Sequence, residues 1–207
     1  MRQKTLIRKM RIPLMMSGVM LPLAAAQADV IVLDFENINA TYPSGFANVL
    51  DFYNGGTSSD GTTGTNYGIS FEANAQAICL NTPGTTCSNT SRGGQGDPNS
   101  QRGGLFFLAG TETTMDIAAG FDTGFSFFYT AINVPGVVRI YDGLGGTGNL
   151  LATLNLPTTS SDCPGLGGFC PFVAAGVAFD GIAKSVDWGG VANQVVFDDV
   201  TFGSVDP

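Results

Sequence analysis

The stretch Val137 to Leu156 reads VVRIYDGLGGTGNLLATLNL, and its pattern decides the fold class. Val138 and Ile140 alternate with Arg139 and Tyr141, and Leu150, Ala152, Leu154 and Leu156 alternate with Thr153 and Asn155. Period-two alternation puts apolar side chains on one face of a strand and polar ones on the other. The intervening GLGGTGN supplies the glycines and the asparagine that a turn needs. Two antiparallel strands joined by a hairpin loop follow. GLGGTGN stands between two strands, not before a helix, so it is a poor phosphate cradle.

The same signature recurs outward in both directions. VIVLDFE (30–36) places Ile31, Leu33 and Phe35 on one face and Asp34 and Glu36 on the other. GISFEA, QAICL, LFFLAG and TTMDIAA come next. FSFFYTA (125–131) sets Phe125, Phe127 and Tyr129 against Ser126 and Thr130. FVAAGVAF, AKSVDW and QVVFDDVTF end the series. Long helical periodicity is absent from this region, and roughly ten short strands separated by Gly, Pro, Asn and Asp predict an all-β chain. Sheets with one buried and one wet face pack in pairs. The expected fold is therefore an antiparallel two-sheet β-sandwich. Asn54 to Asn66, Asn81 to Gly104 and Pro157 to Pro171 read as long loops, of the kind that is functional or mobile.

Ahead of these strands lies a different pattern. Arg2, Lys4, Arg8, Lys9 and Arg11 precede an apolar stretch from Ile12 to Ala26 that Pro13 and Pro22 interrupt. Ala26-Gln27-Ala28 offers small residues at the recognition positions of a signal peptidase, so residues 1–28 read as a secretory signal cleaved after Ala28. A spanning helix needs roughly 20 apolar residues, more than this core holds, so no stable membrane anchor is expected. Residues 29–207 form the single expected β-sandwich domain.

Removal of the signal leaves Arg92, Arg102, Arg139 and Lys184 against 17 acids. Such a surface repels nucleic acid and anionic lipid. Charged residues are 13% of the chain, so Gly, Ser, Thr and Asn make the polar surface mostly neutral. The chain has no histidine, which removes Ser-His-Asp triads, Cys-His pairs and imidazole zinc sites. In an oxidising compartment, disulfides are the default for Cys79, Cys87, Cys163 and Cys170. Pairing Cys79 with Cys87 and Cys163 with Cys170 would close two short turn-rich loops, each gaining about 2–3 kcal/mol at most.

Catalysis is left with paired carboxylates, as in glycoside hydrolases or lyases, and nothing marks such a pair among the 17 acids. No enzymatic role is expected. In the last strand Asp198 shares a parity with Val196, Val200 and Phe202, so one aspartate points where apolar side chains point. A buried carboxylate in a chain poor in Lys and Arg suits a hard cation, and calcium takes carboxylate and carbonyl oxygens. Asp34 and Glu36 of the first strand would share this structural calcium with Asp198 and Asp199, aided by oxygens from residues 54–60. Trp188, Tyr141 and Arg139 are the candidate ligand-binding residues. Flat rings stack on sugars, and Arg139 with Tyr141 can line a groove. Tyr42, Phe52, Tyr53 and Tyr67 lie near polar or glycine-rich segments as further aromatic candidates.

DFENI, FYNGG, NYGISF, AAGFDTGFSFFYTA, VRIYDGLGGTGNLLATLNLP and AKSVDWGGVANQVVFDDVTFG together resemble the secreted domains of PEP-CTERM proteins, in order and over most of residues 29–207. The resemblance implies a jelly roll similar to carbohydrate-binding modules and export in Gram-negative bacteria that make exopolysaccharide. The FDDV ending resembles carbohydrate-binding jelly rolls in which an early acid and a late Asp hold a structural calcium, implying Glu36 and Asp198, with Asp199 beside them. That family ends in a Val-Pro-Glu-Pro motif, an apolar helix and an arginine cluster. This chain stops at GSVDP without them, which implies a released protein or a shortened sequence. The expected function is a secreted, non-enzymatic module that binds polysaccharide or another extracellular matrix component. The alternative is a self-associating adhesive protein of the matrix.

Overall fold

The computed structural model describes residues 30–39, 45–80, 103–160, 169 and 171–207. They form strands β1 (Ile31–Leu33), β2 (Phe46–Asn48), β3 (Ile69–Phe71), β4 (Gln76–Ile78), β5 (Leu105–Phe106), β6 (Glu112–Phe121), β7 (Gly124–Ala131), β8 (Gly136–Tyr141), β9 (Leu150–Leu156), β10 (Val173–Ala178), β11 (Ala183–Gly189) and β12 (Val195–Phe202). One sheet runs β10-β7-β12-β5-β4-β2, with β1 beside β12; the other runs β3-β6-β11-β8-β9. All pairings are antiparallel. Many sheet neighbours are distant in sequence, and the result is the two-sheet sandwich that the alternation predicts, of the jelly-roll type that the resemblance implies. Among the described residues no helix is long and apolar enough to cross a membrane.

The main core fills the space between the sheets. Trp188 of β11 sits at its centre, with ring centroids 4.6 Å from Phe197, 5.2 Å from Phe127 and 5.6 Å from Phe125. A smaller apolar cluster of Ile78, Leu80, Phe106, Ile132, Phe169 and Val196 lies on the other face of the seven-stranded sheet. Alternation explains the split: Ala77, Leu105, Val195 and Phe197 face the main core, while their neighbours Ile78, Phe106 and Val196 face away from it.

Strand β12 departs from the simple parity that its sequence suggests. Asp198 pairs with Phe128 and Thr201 with Ser126, so Asp199 and Val200 together oppose Phe127. This is a β-bulge, with Asp199 at φ 46. The extra residue resets the alternation. Val195 and Phe197 enter the main core before it, and Val200 and Phe202 enter it after. Asp198 therefore shares a side with Val196 and not with Val200 or Phe202. Both aspartates are buried.

Strand β1 is also shorter than VIVLDFE implies. It ends at Leu33, and Phe35 takes a positive φ of 51 while still entering the core. The segment 54–66 is well tied down: Ser58 and Thr62 both donate hydroxyl hydrogen bonds to the Ile38 carbonyl, at 3.0 and 2.6 Å.

Candidate functional site

The outer face of the five-stranded sheet carries a row of polar side chains. In β11, Val186 and Trp188 point inward, so Ser185 and Asp187 point outward. The register places Asp187 between Thr114 of β6 and Arg139 of β8, and Ser185 between Asp116 and Tyr141. The Thr114 hydroxyl donates to Asp187 Oδ1 at 2.9 Å. Arg139 Nη1 stands 3.9 Å from Glu112 Oε2, a loose pair in which both side chains are part-exposed.

The β8–β9 hairpin loop, 142–149, folds back over one end of this face. Gly145 N–H donates to Asp116 Oδ1 at 2.7 Å, and Gly146 N–H donates to Ser185 Oγ at 3.0 Å. The Ser185 hydroxyl donates in turn to the Gly143 carbonyl at 2.6 Å. Asp142 closes the loop by accepting from Asn149 N at 2.7 Å and Asn149 Nδ2 at 2.8 Å. Those bonds to Asn149 hold the Asp142 carboxyl below its ordinary value. With the loop in place Asp187 is only 6% exposed. The resulting shelf offers the Arg139 guanidinium as donor, the Glu112 and Asp116 carboxylates as acceptors and one part-exposed phenol ring, a set suited to a hydroxyl-rich ligand.

The chain ends meet on the other sheet. Ile31 pairs with Phe202 and Leu33 with Val200, so the first strand lies beside the last. Just past the pairing, Tyr53 OH accepts from Phe35 N–H at 3.0 Å and lies 3.5 Å from Asp34 Oδ1. Burial, with the nearby charges of Asp34 and Asp198, pushes the Tyr53 phenol well above its ordinary value. Glu36 Oε1 accepts from Gly103 N–H at 2.8 Å, and Asp198 Oδ1 accepts from Asp199 N–H at 2.8 Å. Acids from opposite ends of the chain thus gather around one buried phenol. Glu36, Asp198 and Asp199 each have further partners. Their hard oxygen chemistry fits calcium, but among the described residues no group of three or more acids or cysteines is arranged to hold a metal ion. A full shell would need carbonyl oxygens as well.

Trp188 corrects the sequence reading. It is 0% exposed at the centre of the core, so it presents no face to a ligand. The alternation in AKSVDW carries the reason, because Trp188 shares its parity with Val186. The same alternation exposes what that reading passed over, the outward Ser185 and Asp187. Phe52 and Tyr53 are likewise core residues and not surface platforms, whereas Tyr67 is exposed and stacks on Tyr53 at 6.2 Å. Arg139 and Tyr141 do share the outer face, as their spacing predicts. Cys79 is buried. Cys87, Cys163, Cys170, Tyr42 and the signal region lie outside the described residues.

No family model and no curated protein matches the chain. Among solved structures, it is similar to CsCBM6-3 from Clostridium stercorarium in complex with cellobiose, with a TM-score of 0.37 and 16% identity over 65% of this chain and 86% of that one. It is also similar to a family 6 carbohydrate-binding module whose binding sub-sites were dissected by crystallography and calorimetry. That match has a TM-score of 0.35 and 18% identity over 64% of this chain and 85% of the other.

Proposed function

We propose that this chain is a secreted, non-catalytic carbohydrate-binding module, and that the outer face of the five-stranded sheet is its glycan surface. The observation that carries the reading is the placement of Arg139 and Tyr141 side by side, part-exposed, on the face that also holds Asp187 and Asp116. A sugar lying there would receive hydrogen bonds from the guanidinium, donate a hydroxyl to the part-exposed Asp116 carboxylate and rest on the Tyr141 ring. The mostly neutral polar surface favours a polysaccharide ligand over nucleic acid. The signal-like pattern of residues 1–28 and the resemblance to PEP-CTERM domains, on the motifs quoted above, support an extracellular polysaccharide as that ligand.

We further propose that calcium braces the junction of the first and last strands through Glu36 and Asp198, with Asp34 and Asp199 beside them. The support is that Asp34 and Asp198, from opposite ends of the chain, both lie near the Tyr53 phenol. The glycan reading is tested by screening the purified protein on an array of neutral and acidic polysaccharides, in calcium and in chelator. Binding that disappears in Arg139→Ala and Tyr141→Ala is the expected result. Failure to bind any polysaccharide would overturn the reading.

A further inference from the structure

Asparagine followed by glycine occurs once in the chain, at Asn54–Gly55, and both residues are exposed on the turn that follows β2. The fold dictates the glycine. Gly55 has a φ of 75, which L side chains resist, and a β-carbon there would sit 2.8 Å from Asn66 Nδ2. The amides on either side are engaged: Asn54 N–H and Gly56 N–H both donate to the Asp51 carbonyl, at 2.9 and 3.0 Å. Gly55 N–H lies between them and, among the described residues, has no acceptor. The Asn54 carboxamide is held by a long bond, Nδ2 donating to Asp51 Oδ1 at 3.2 Å. A main-chain nitrogen with no acceptor and no β-carbon to shield it thus follows directly on an exposed carboxamide.

We propose that Asn54 is a self-modification site, converting without an enzyme to aspartate and isoaspartate, and that the conversion loosens the turn that seats Tyr53. The Gly55 nitrogen attacks Cγ of Asn54. The N–Cγ bond forms, the Cγ–Nδ2 bond breaks, and ammonia leaves carrying the proton that Gly55 gave up. Water then opens the cyclic imide at one of its two carbonyls, giving aspartate or isoaspartate, with no change of oxidation state. Either product replaces an amide that donates to Asp51 with a carboxylate that repels it. Isoaspartate also lengthens the backbone by one carbon ahead of Gly55, where Asn66 already stands close. The effect reaches the core through the residues just before the turn. Phe52 and Tyr53 are buried, and the Tyr53 carbonyl accepts from Tyr67 N–H and Ile69 N–H at 2.8 and 3.2 Å. The fold's demand for glycine at position 55 therefore builds in a slow chemical clock beside the phenol where the first and last strands meet.

The test is incubation of the purified full chain in warm neutral buffer over several weeks, with peptide mapping by mass spectrometry. The peptide containing Asn54 should gain the mass difference between an amide and an acid, part of it as isoaspartate. Asn149, exposed but followed by Leu150, should stay intact. In the converted fraction, hydrogen exchange across residues 50–56 should quicken and the melting temperature should fall by about 2–4 °C. Asn54→Gln, at an exposed position, keeps an amide and should abolish both the mass change and the drift in melting temperature. Asn54→Asp supplies the new charge at once and should start below wild type. An Asn54 that stays intact would overturn the proposal, as would conversion of Asn149 at the same rate. Converted protein with unchanged exchange and melting would overturn the loosening. Glycan binding is read separately, so failure of either proposal leaves the other interpretable.

Discussion

Gly146 lies directly against the carboxylate of Asp187: a β-carbon at that glycine would sit 2.6 Å from Asp187 Oδ2. Its φ of 65 is also a conformation that L side chains resist. Gly146→Ala therefore meets a clash and a backbone penalty of about 1–2 kcal/mol together. The loop is expected to lift from the sheet. A lower melting temperature and faster hydrogen exchange at Gly145 and Gly146 are the readouts, and unchanged exchange would refute the contact.

Removing polar side chains from the outer face should separate binding from stability. Arg139→Ala and Tyr141→Ala are expected to weaken polysaccharide binding at least tenfold, about 1.4 kcal/mol, while the denaturation midpoint stays within about 0.5 kcal/mol of wild type. Affinity electrophoresis in polysaccharide gels with parallel urea titrations measures both quantities.

Trp188→Ala should do the opposite. Deleting a fully buried indole packed against Phe125, Phe127 and Phe197 is expected to cost about 3–5 kcal/mol in stability. The fraction that remains folded should bind glycan with unchanged affinity, because Trp188 does not reach the outer face. A selective loss of affinity in folded protein would return the tryptophan to the binding surface.

Tyr53 gives the alkaline limit a specific origin. Its phenol is raised above the ordinary value of 10.0, chiefly by burial and then by Asp34. The native state thus holds this proton more tightly than the unfolded chain does. The associated stability is whole below about pH 10 and falls as pH rises from there toward the native value. Urea unfolding at stepped alkaline pH should show that decline. Tyr53→Phe should flatten it, while leaving the Phe35 N–H without its acceptor at a cost of about 1–3 kcal/mol. An equally steep decline in the variant would assign the effect to another group.

The calcium brace predicts a higher melting temperature in calcium than in chelator, and a smaller difference in Asp198→Asn. Superimposable melting curves would remove the ion from the account.

The fold was largely legible because alternation reports directly on burial: FSFFYTA and AKSVDW run as their parity requires, and the GLGGTGN segment is a hairpin loop. What escaped was the local breaking of that rule. The bulge at Asp199 shifts the parity of Val200 and Phe202, and the positive φ of Phe35 ends β1 before Asp34. Neither residue is a glycine, so no composition signal marks either place. The binding face was half legible. Arg139 and Tyr141 stood out as a polar pair within one strand, but Asp116, Ser185 and Asp187 join them only through register between strands, which a single sequence does not display. Trp188 shares its parity with the buried Val186, and that alternation, not the flat ring that suits a sugar, decides its place.

The hydrogen-bonded partnership of Ile31 with Phe202 has a topological consequence. The polypeptide enters and leaves the sandwich at one corner, so a short linker could join residue 203 to residue 30 without disturbing any strand neighbour. New ends opened at the Gly145 turn would then yield a circular permutant with the same native sheet order. By the same logic, a passenger fused upstream and one fused downstream would emerge side by side, held close by the domain between them.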